Sequence, residues 1–206
     1  MEHLRGKFIV IDGPDGAGKS TQIDLLAQAL QAHDVSVVTT RDPGGTAIGD
    51  QIREILLNPK NREMSVACEV LLYMASRVQL YDQLIAPALQ SGRCVLCDRW
   101  LSSTLAYQAA AGKIGTEVVT RIADVVLPCP WPDCTIALDL PAETGLQRVG
   151  KNMDRMEAKG LQFHQAVREA FVKFTETRPD CHLVDASADI HTIHTQLRSI
   201  LKIPPA

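Results

Sequence analysis

The stretch Gly13-Pro14-Asp15-Gly16-Ala17-Gly18-Lys19-Ser20-Thr21 constrains this chain more than any other, because it fits G-x-x-x-x-G-K-[ST] and its flanks fit too. Before it, Lys7 to Asp12 is an apolar, β-branched run that reads as a buried parallel strand. After it, Ile23, Leu26, Ala27 and Leu30 recur at helical spacing. Strand, glycine loop and helix form the context in which successive backbone amides can turn inward around phosphate oxygens. The helix N-terminus adds partial positive charge behind them. In such a loop Lys19 reaches the β/γ-phosphates and the Ser20 hydroxyl holds Mg2+.

The rest of the chain supplies a frame for that loop. Runs Val35–Thr40, Cys94–Cys97, Cys134–Leu140 and His182–Ala186 read as further strands. Between them, helical patterns cover 47–57, 65–90 (with Pro87 marking a bend or boundary), 102–111, 116–126, 161–175 and 189–201. In the first of these, Ile48, Ile52, Ile55 and Leu56 share helical spacing. Alternating strands and helices predict a doubly wound, three-layer α/β/α fold with a parallel sheet of about five strands. At 206 residues a single domain over 1–206 is expected.

Charge and apolar content narrow the function classes. The net charge is −3 with dispersed basic residues, which gives no pull toward nucleic acid or an anionic membrane. No apolar run approaches the ~20 residues of a membrane helix, and no signal-type run follows the N-terminus, so a cytoplasmic protein is expected. Cys94 and Cys97 have C-x-x-C spacing, but strand alternation sends them to opposite faces, and Cys129 and Cys134 lie in a proline-rich loop. Buried, unreactive thiols are therefore expected for the six cysteines rather than zinc or a redox pair. His164, His191 and His194 lack a third metal ligand, and solvated or capping roles are expected of them.

Several polar residues fall where ligands bind in open α/β sheets, beyond the carboxyl ends of strands. Arg41-Asp42-Pro43-Gly44-Gly45-Thr46 follows the second strand, and Asp98-Arg99 follows the third. Asp98 suits a second anchor for Mg2+ and Arg99 suits phosphate. Turn chemistry alone also allows a plain surface turn and a strand-end ion pair at these places. Tyr73 and Arg77 share a helix face at i, i+4, and either sandwich a planar base or form an ordinary surface pair. Gly150 to Glu157, with Arg148 before it, is a short basic segment able to close over phosphates as a lid, about 148–160.

Taken together, Ile11 to Thr21, Thr40-Arg41-Asp42-Pro43-Gly44-Gly45-Thr46, Leu71 to Arg77, Asp98-Arg99-Trp100 and Ser102 to Gln108 resemble the thymidylate (dTMP) kinase family over nearly the whole chain. The resemblance implies transfer of a phosphoryl group from ATP to dTMP, with Mg2+, in a cytoplasmic homodimer that binds neither nucleic acid nor membrane. It assigns ATP to the loop Gly13–Thr21 and Arg148. It assigns dTMP to Asp15, Arg41, Tyr73, Arg77, Arg99, Ser103, Thr104, Tyr107 and Gln108. Tyr73 would stack on thymine and Arg77 would donate to a thymine carbonyl. Thr104 would sit at the N3 edge, Tyr107 would crowd C2′, and Arg99, with Arg41, would hold the 5′-phosphate. Metal would lie near Ser20, Asp98 and Asp15. The catalytic set would be Lys19, Arg99, Asp15 and a lid arginine, best matched by Arg155, with Lys151 and Arg148 as alternatives. The chain departs from the family in carrying Gly16 where some members have arginine, in a lid about two residues shorter, and in Asp42 for the commoner Glu. A kinase for another acceptor, or a non-catalytic nucleotide switch, is the competing reading.

Overall fold

The computed structural model describes residues 1–150 and 153–204. Among these residues five strands form one parallel sheet: β1 (Phe8–Asp12), β2 (Val37–Arg41), β3 (Cys94–Asp98), β4 (Cys134–Asp139) and β5 (Cys181–Asp185), in the order β2-β3-β1-β4-β5. The apolar β1 run is wholly buried because it lies in the centre, paired with β3 through Val10–Cys97 and with β4 through Val10–Thr135. Helices α1 (Lys19–Gln31) and α9 (Ile190–Ile200) cover one face, with Ile9, Ile11, Leu26, Leu96, Leu138 and Leu197 in a shared core. Phe8, Val10, Val95, Cys97 and Trp100 face the other side, against α3 (Val66–Leu80) and α6 (Thr116–Val126). Alternation therefore separates Cys94 from Cys97, and the three-layer expectation is met.

Two helices depart from the expected regular form. The run expected as one helix over 65–90 is α3, a π-helical turn at Tyr81–Ile85, and α4 (Ala86–Gln90). Pro87 lacks an amide hydrogen and its ring crowds the preceding turn, and the wider turn accommodates it. The stretch expected as helical over 102–111 begins as α5 (Leu101–Thr104) and continues as π-helix from Leu105 to Ala111, which carries Tyr107 and Gln108. The remaining helices are α2 (Ala47–Leu57), α7 (Ala142–Val149) and α8 (Leu161–Glu176). On α2 the apolar spacing misleads: Leu56 is buried, but Ile48 and Ile55 are exposed. Of the cysteines, Cys94, Cys97 and Cys181 are buried as expected, whereas Cys68 is exposed.

The phosphate-binding loop is pressed against the chain on its far side. A Cβ on Gly13, at φ +125°, would stand 2.4 Å from the Leu138 carbonyl. Gly145, inside α7, leaves room for the loop in turn, since a Cβ there would lie 2.3 Å from the Asp15 carbonyl. Alanine normally stabilises a helix interior relative to glycine by ~0.5–1 kcal/mol. At Gly145 the overlap with backbone outweighs that gain, because neither neighbour is a flexible side chain. Gly145→Ala is therefore expected to destabilise by about 1–3 kcal/mol, a fall of several degrees in Tm, and to weaken ATP binding. A raised Tm by differential scanning fluorimetry would show that the two backbones are not held this close.

Candidate active site

The carboxyl ends of β1, β2 and β3 open into one cavity of about 290 Å³. It is lined at one end by Asp15, Lys19, Ser20, Asp98 and Arg99, and at the other by Tyr73, Arg77, Thr104 and Gln108. At the loop end, Gly18 adopts φ +88° as the N-cap of α1 and offers no capping side chain. The first amides of that helix, those of Lys19, Ser20 and Thr21, have no intrahelical acceptor and are left for a ligand. Lys19 Nζ donates to the Gly13 carbonyl at 3.2 Å and the Pro14 carbonyl at 2.7 Å. Burial and the neighbouring Arg99 guanidinium push its pKa down to about 8, against the pull of Asp15, Asp98 and Asp12.

Ser20 Oγ donates to Asp98 Oδ2 at 2.8 Å, while Asp98 Oδ1 is buried and has no partner among the described residues. A hydroxyl and a carboxylate with a free oxygen form a hard, oxygen-only donor pair. That pair fits a magnesium ion, which binds through one or two protein oxygens plus substrate phosphates. Asp15, expected near the metal as well, is engaged differently. Its Oδ1 accepts a charge-assisted bond from Arg99 Nη2 and its Oδ2 accepts from Tyr107 Oη at 2.7 Å. Burial pushes the Asp15 pKa up, but the charges of Arg99 and Lys19 and the Tyr107 hydroxyl prevail and hold it below the usual range.

Arg99 is held by three groups. Nη1 donates to the Gly13 carbonyl at 2.9 Å and to Ser103 Oγ at 3.0 Å, and Nη2 reaches Asp15. Its guanidinium lies over the Tyr107 ring, 5.2 Å from the centroid. Its backbone sits at φ +69°, a conformation that a non-glycine residue adopts at some cost. Ser103 also donates to Asp12, a fully buried carboxylate that caps the Gly13 amide.

At the other end Arg77 is buried and nearly saturated. Nε donates to Asp42 Oδ2 at 2.6 Å, and Nη2 to the Trp100 carbonyl at 3.2 Å and Thr104 Oγ1 at 2.9 Å. Among the described residues Nη1 meets only the Met74 sulfur, a weak acceptor. Burial pushes the Asp42 carboxyl pKa up, and Arg77 only partly offsets it. Gln108 donates through Nε2 to Glu69 Oε2 at 2.9 Å. Burial raises the Tyr73 pKa, and the nearby Glu69 charge raises it further. Arg41 is exposed at the mouth of the cavity, 3.4 Å from Asp50.

The lid segment corrects the sequence expectation. Arg155 does not line the cavity: it is 5% exposed and turned toward the end of α2. Its Nε donates to the Leu56 carbonyl at 2.6 Å, its backbone amide to that of Leu57 at 3.0 Å, and Nη1 to Glu69. The last carbonyls of α2 lack intrahelical partners, and a guanidinium satisfies them where a lid arginine over phosphate would not. Arg148 lies nearer the loop, with Nη1 donating to the Gly16 carbonyl at 3.3 Å. Lys151 lies outside the described residues.

Four residues near the site were not expected from the sequence to be site residues. Arg53 lines the cavity and donates to the Pro43 carbonyl at 3.0 Å; burial, with Arg41 and Arg99, lowers its pKa. Glu157 lines it too. Glu69 anchors Gln108 and Arg155. His164, expected to be solvated or capping, is buried, with Nε2 3.0 Å from the Glu157 carbonyl and Nδ1 4.0 Å from Asp15. Only Arg53 left a signal, as the cation on α2 one turn beyond Gly49 and facing the strand-end loop.

Comparison with known proteins agrees with this geometry. A family model described as thymidylate kinase matches residues 11–197. A thymidylate kinase of Symbiobacterium thermophilum is 42% identical over 197 residues, covering 95% of this chain and 92% of the relative. One of Clostridium novyi is 36% identical over 203 residues, covering 96% and 99%. The solved thymidylate kinase of Ehrlichia chaffeensis superposes with a TM-score of 0.80 at 28% identity, covering 96% of this chain and 99% of that one. With the phosphate loop, the Asp98-Arg99 strand end and the Arg77 pocket in one cavity, the chain belongs to the thymidylate kinase family.

Proposed function

We propose that this chain transfers the terminal phosphoryl group of ATP to the 5′-phosphate of dTMP, giving ADP and dTDP. One observation carries the reading: a single cavity joins the phosphate loop to Tyr73, Arg77, Thr104 and Gln108, with Arg99 touching both the loop and Ser103. A donor triphosphate on the loop and an acceptor base at Arg77 would then bring their phosphates together beside Arg99.

In this reading the acceptor oxygen is already anionic, so the protein supplies position and charge rather than a strong base. The amides at the start of α1 and Lys19 hold the β- and γ-phosphates. Arg99 holds the acceptor phosphate, with Arg41 and Arg53 at the mouth. Tyr73 stacks on the base, Arg77 offers Nη1 to a base carbonyl, and the buried Tyr107 closes the space at C2′. Asp15 keeps Arg99 and Tyr107 in place. Ser20 and Asp98 would hold Mg2+, which neutralises charge on the phosphates when bound. Arg148 is the lid-side cation nearest the loop, and Arg155 serves as an anchor. We assign the chain to one domain acting in the cytoplasm, and the exposed Ile48, Ile55 and Leu71 support a homodimer through α2 and α3.

Purified protein with ATP and Mg2+ is expected to release ADP rapidly with dTMP, slowly with the ribose analogue, and not with thymidine, in a coupled assay. Turnover of thymidine but not dTMP would overturn the phosphate role of Arg99. Arg155→Ala removes one partner of a buried pair and is expected to lower stability by about 3 kcal/mol, with less than tenfold loss of kcat in the folded protein. A loss of ~10³ in kcat without a change in Tm would restore Arg155 to the phosphates.

The lowered Lys19 pKa gives a pH signature. Below about pH 8 the folded chain carries a buried ammonium at a cost. The folded chain releases that proton at lower pH than the unfolded chain, whose lysine titrates near 10.5, so this contribution makes stability rise between those values. Bound triphosphate favours the ammonium. ATP binding at pH 9 should therefore take up a proton, approaching one per site, measured by calorimetry in buffers of different ionisation enthalpy. No uptake at pH 9 would show that Lys19 is already charged in the free protein.

A further inference from the structure

We propose that Glu69 is a positioning residue for base selectivity: it fixes the Gln108 carboxamide with its oxygen toward the bound base, so that the site takes pyrimidines bearing an N3–H. The inference rests on the cavity being a pyrimidine nucleotide site. Glu69 is 1% exposed on α3. Its Oε2 accepts from Gln108 Nε2 at 2.9 Å, and its Oε1 accepts from Arg155 Nη1 at 2.5 Å and Lys159 Nζ at 2.9 Å. Burial pushes its pKa up, but bonds from Arg155, Gln108 and Lys159 prevail and keep it ionised. An ionised carboxylate only accepts, and an amide meets it only through its NH2 group. The Gln108 oxygen is then committed to the other direction. Gln108 lines the cavity, and no described protein group donates to its Oε1.

The consequence is chemical. Thymine and uracil present an N–H between two carbonyls, whereas cytosine has a bare N3 lone pair at the same place. An acceptor oxygen on Gln108 bonds the former and repels the latter. The donors for the flanking carbonyls are already present. Among the described residues Arg77 Nη1 faces only a sulfur, and Thr104, whose oxygen accepts from Arg77, keeps its own hydrogen to donate. The two cations come from the lid segment, so the orientation of a base-reading amide on the π-helical turn is set by Arg155 and Lys159 through Glu69.

The test is the ratio of kcat/KM for dTMP to that for dCMP. In Glu69→Gln the new amide can donate, Gln108 can reverse, and the ratio should fall by about 10- to 100-fold, mostly through KM. The exchanged pair Glu69→Gln with Gln108→Glu again offers an acceptor to the base, and the preference for dTMP should return. Equal losses for both acceptors in Glu69→Gln, with the ratio unchanged, would reduce Glu69 to a structural role and overturn the proposal. Should Glu69→Gln fail to fold, the exchanged pair decides: dTMP preference supports the proposal, and its absence overturns it. For the unaltered chain, an N3-methylated dTMP should bind at least about tenfold more weakly than dTMP, and equal binding would also overturn it. If the unaltered chain uses neither dTMP nor dCMP, the nucleotide reading of the cavity fails instead.

Discussion

The ammonium of Lys19, buried against two backbone carbonyls and, among the described residues, no carboxylate, is the interaction on which the rest of this structure turns. A lone buried cation is unfavourable unless something compensates it, and here the compensation is partial. Asp12, Asp15 and Asp98 act on it through space, but each is committed elsewhere, to Ser102 and Ser103, to Arg99 and Tyr107, and to Ser20. The loop is thus built with an excess of donors that an anion would complete. Holding that shape needs the close backbone approaches at Gly13 and Gly145, so β4 and α7 are as much a part of the phosphate site as the loop itself.

The strand order places the remaining groups around that cation. With β1 central and β3 beside it, the strand ends deliver Asp12, Asp98 and Arg99 within reach of one another, and β2 adds Asp42 from the next position. Arg99 leaves β3 in the left-handed region, which costs about 1–2 kcal/mol for a residue with a Cβ. Its bonds to Asp15, the Gly13 carbonyl and Ser103 each involve a charged donor, and such bonds contribute ~1.5–3 kcal/mol. The hydrogen bonds decide the conformation, and they aim the guanidinium into the cavity.

Much of this was legible in the sequence where one local rule dominated. The phosphate loop, the five strands and the polar strand ends follow from glycine spacing and apolar periodicity, and the structure places Ser20 against Asp98 and Arg77 beside Thr104. What was hidden depends on partners distant in the chain. Arg155 looks like a free lid cation in Asp154-Arg155-Met156, yet the open carbonyls ending α2 and Glu69, 86 positions away, capture it. The π-helical turn over Leu105–Ala111 changes which way Tyr107 and Gln108 point, and no residue in that run announces the extra width. Ile48 and Ile55 satisfy a core pattern but lie on the outer side of α2, because periodicity identifies an apolar face without saying what it meets. Nothing in the sequence marks Gly145 either, and its reason is the Asp15 carbonyl, 130 positions earlier.

Two buried ion pairs, Arg77–Asp42 and Arg155–Glu69, flank the base end of the cavity. Neither is explained by stability. Withdrawing two charges from water costs several kcal/mol, and apolar replacements of similar volume are often as stable or more so. Asp42 even keeps a buried oxygen without a partner among the described residues, and its raised pKa records that cost. What an apolar pair cannot supply is direction. Asp42 takes up the Nε side of Arg77 and leaves Nη1 facing a weak acceptor, and Glu69 takes up the nitrogen of Gln108 and leaves the oxygen. Each carboxylate uses up the donors on one side of a polar group and so decides what the other side offers. The two pairs, one drawn from a strand end and one from the lid segment, thereby write a hydrogen-bonding pattern onto a wall that would otherwise recognise only the shape of a base.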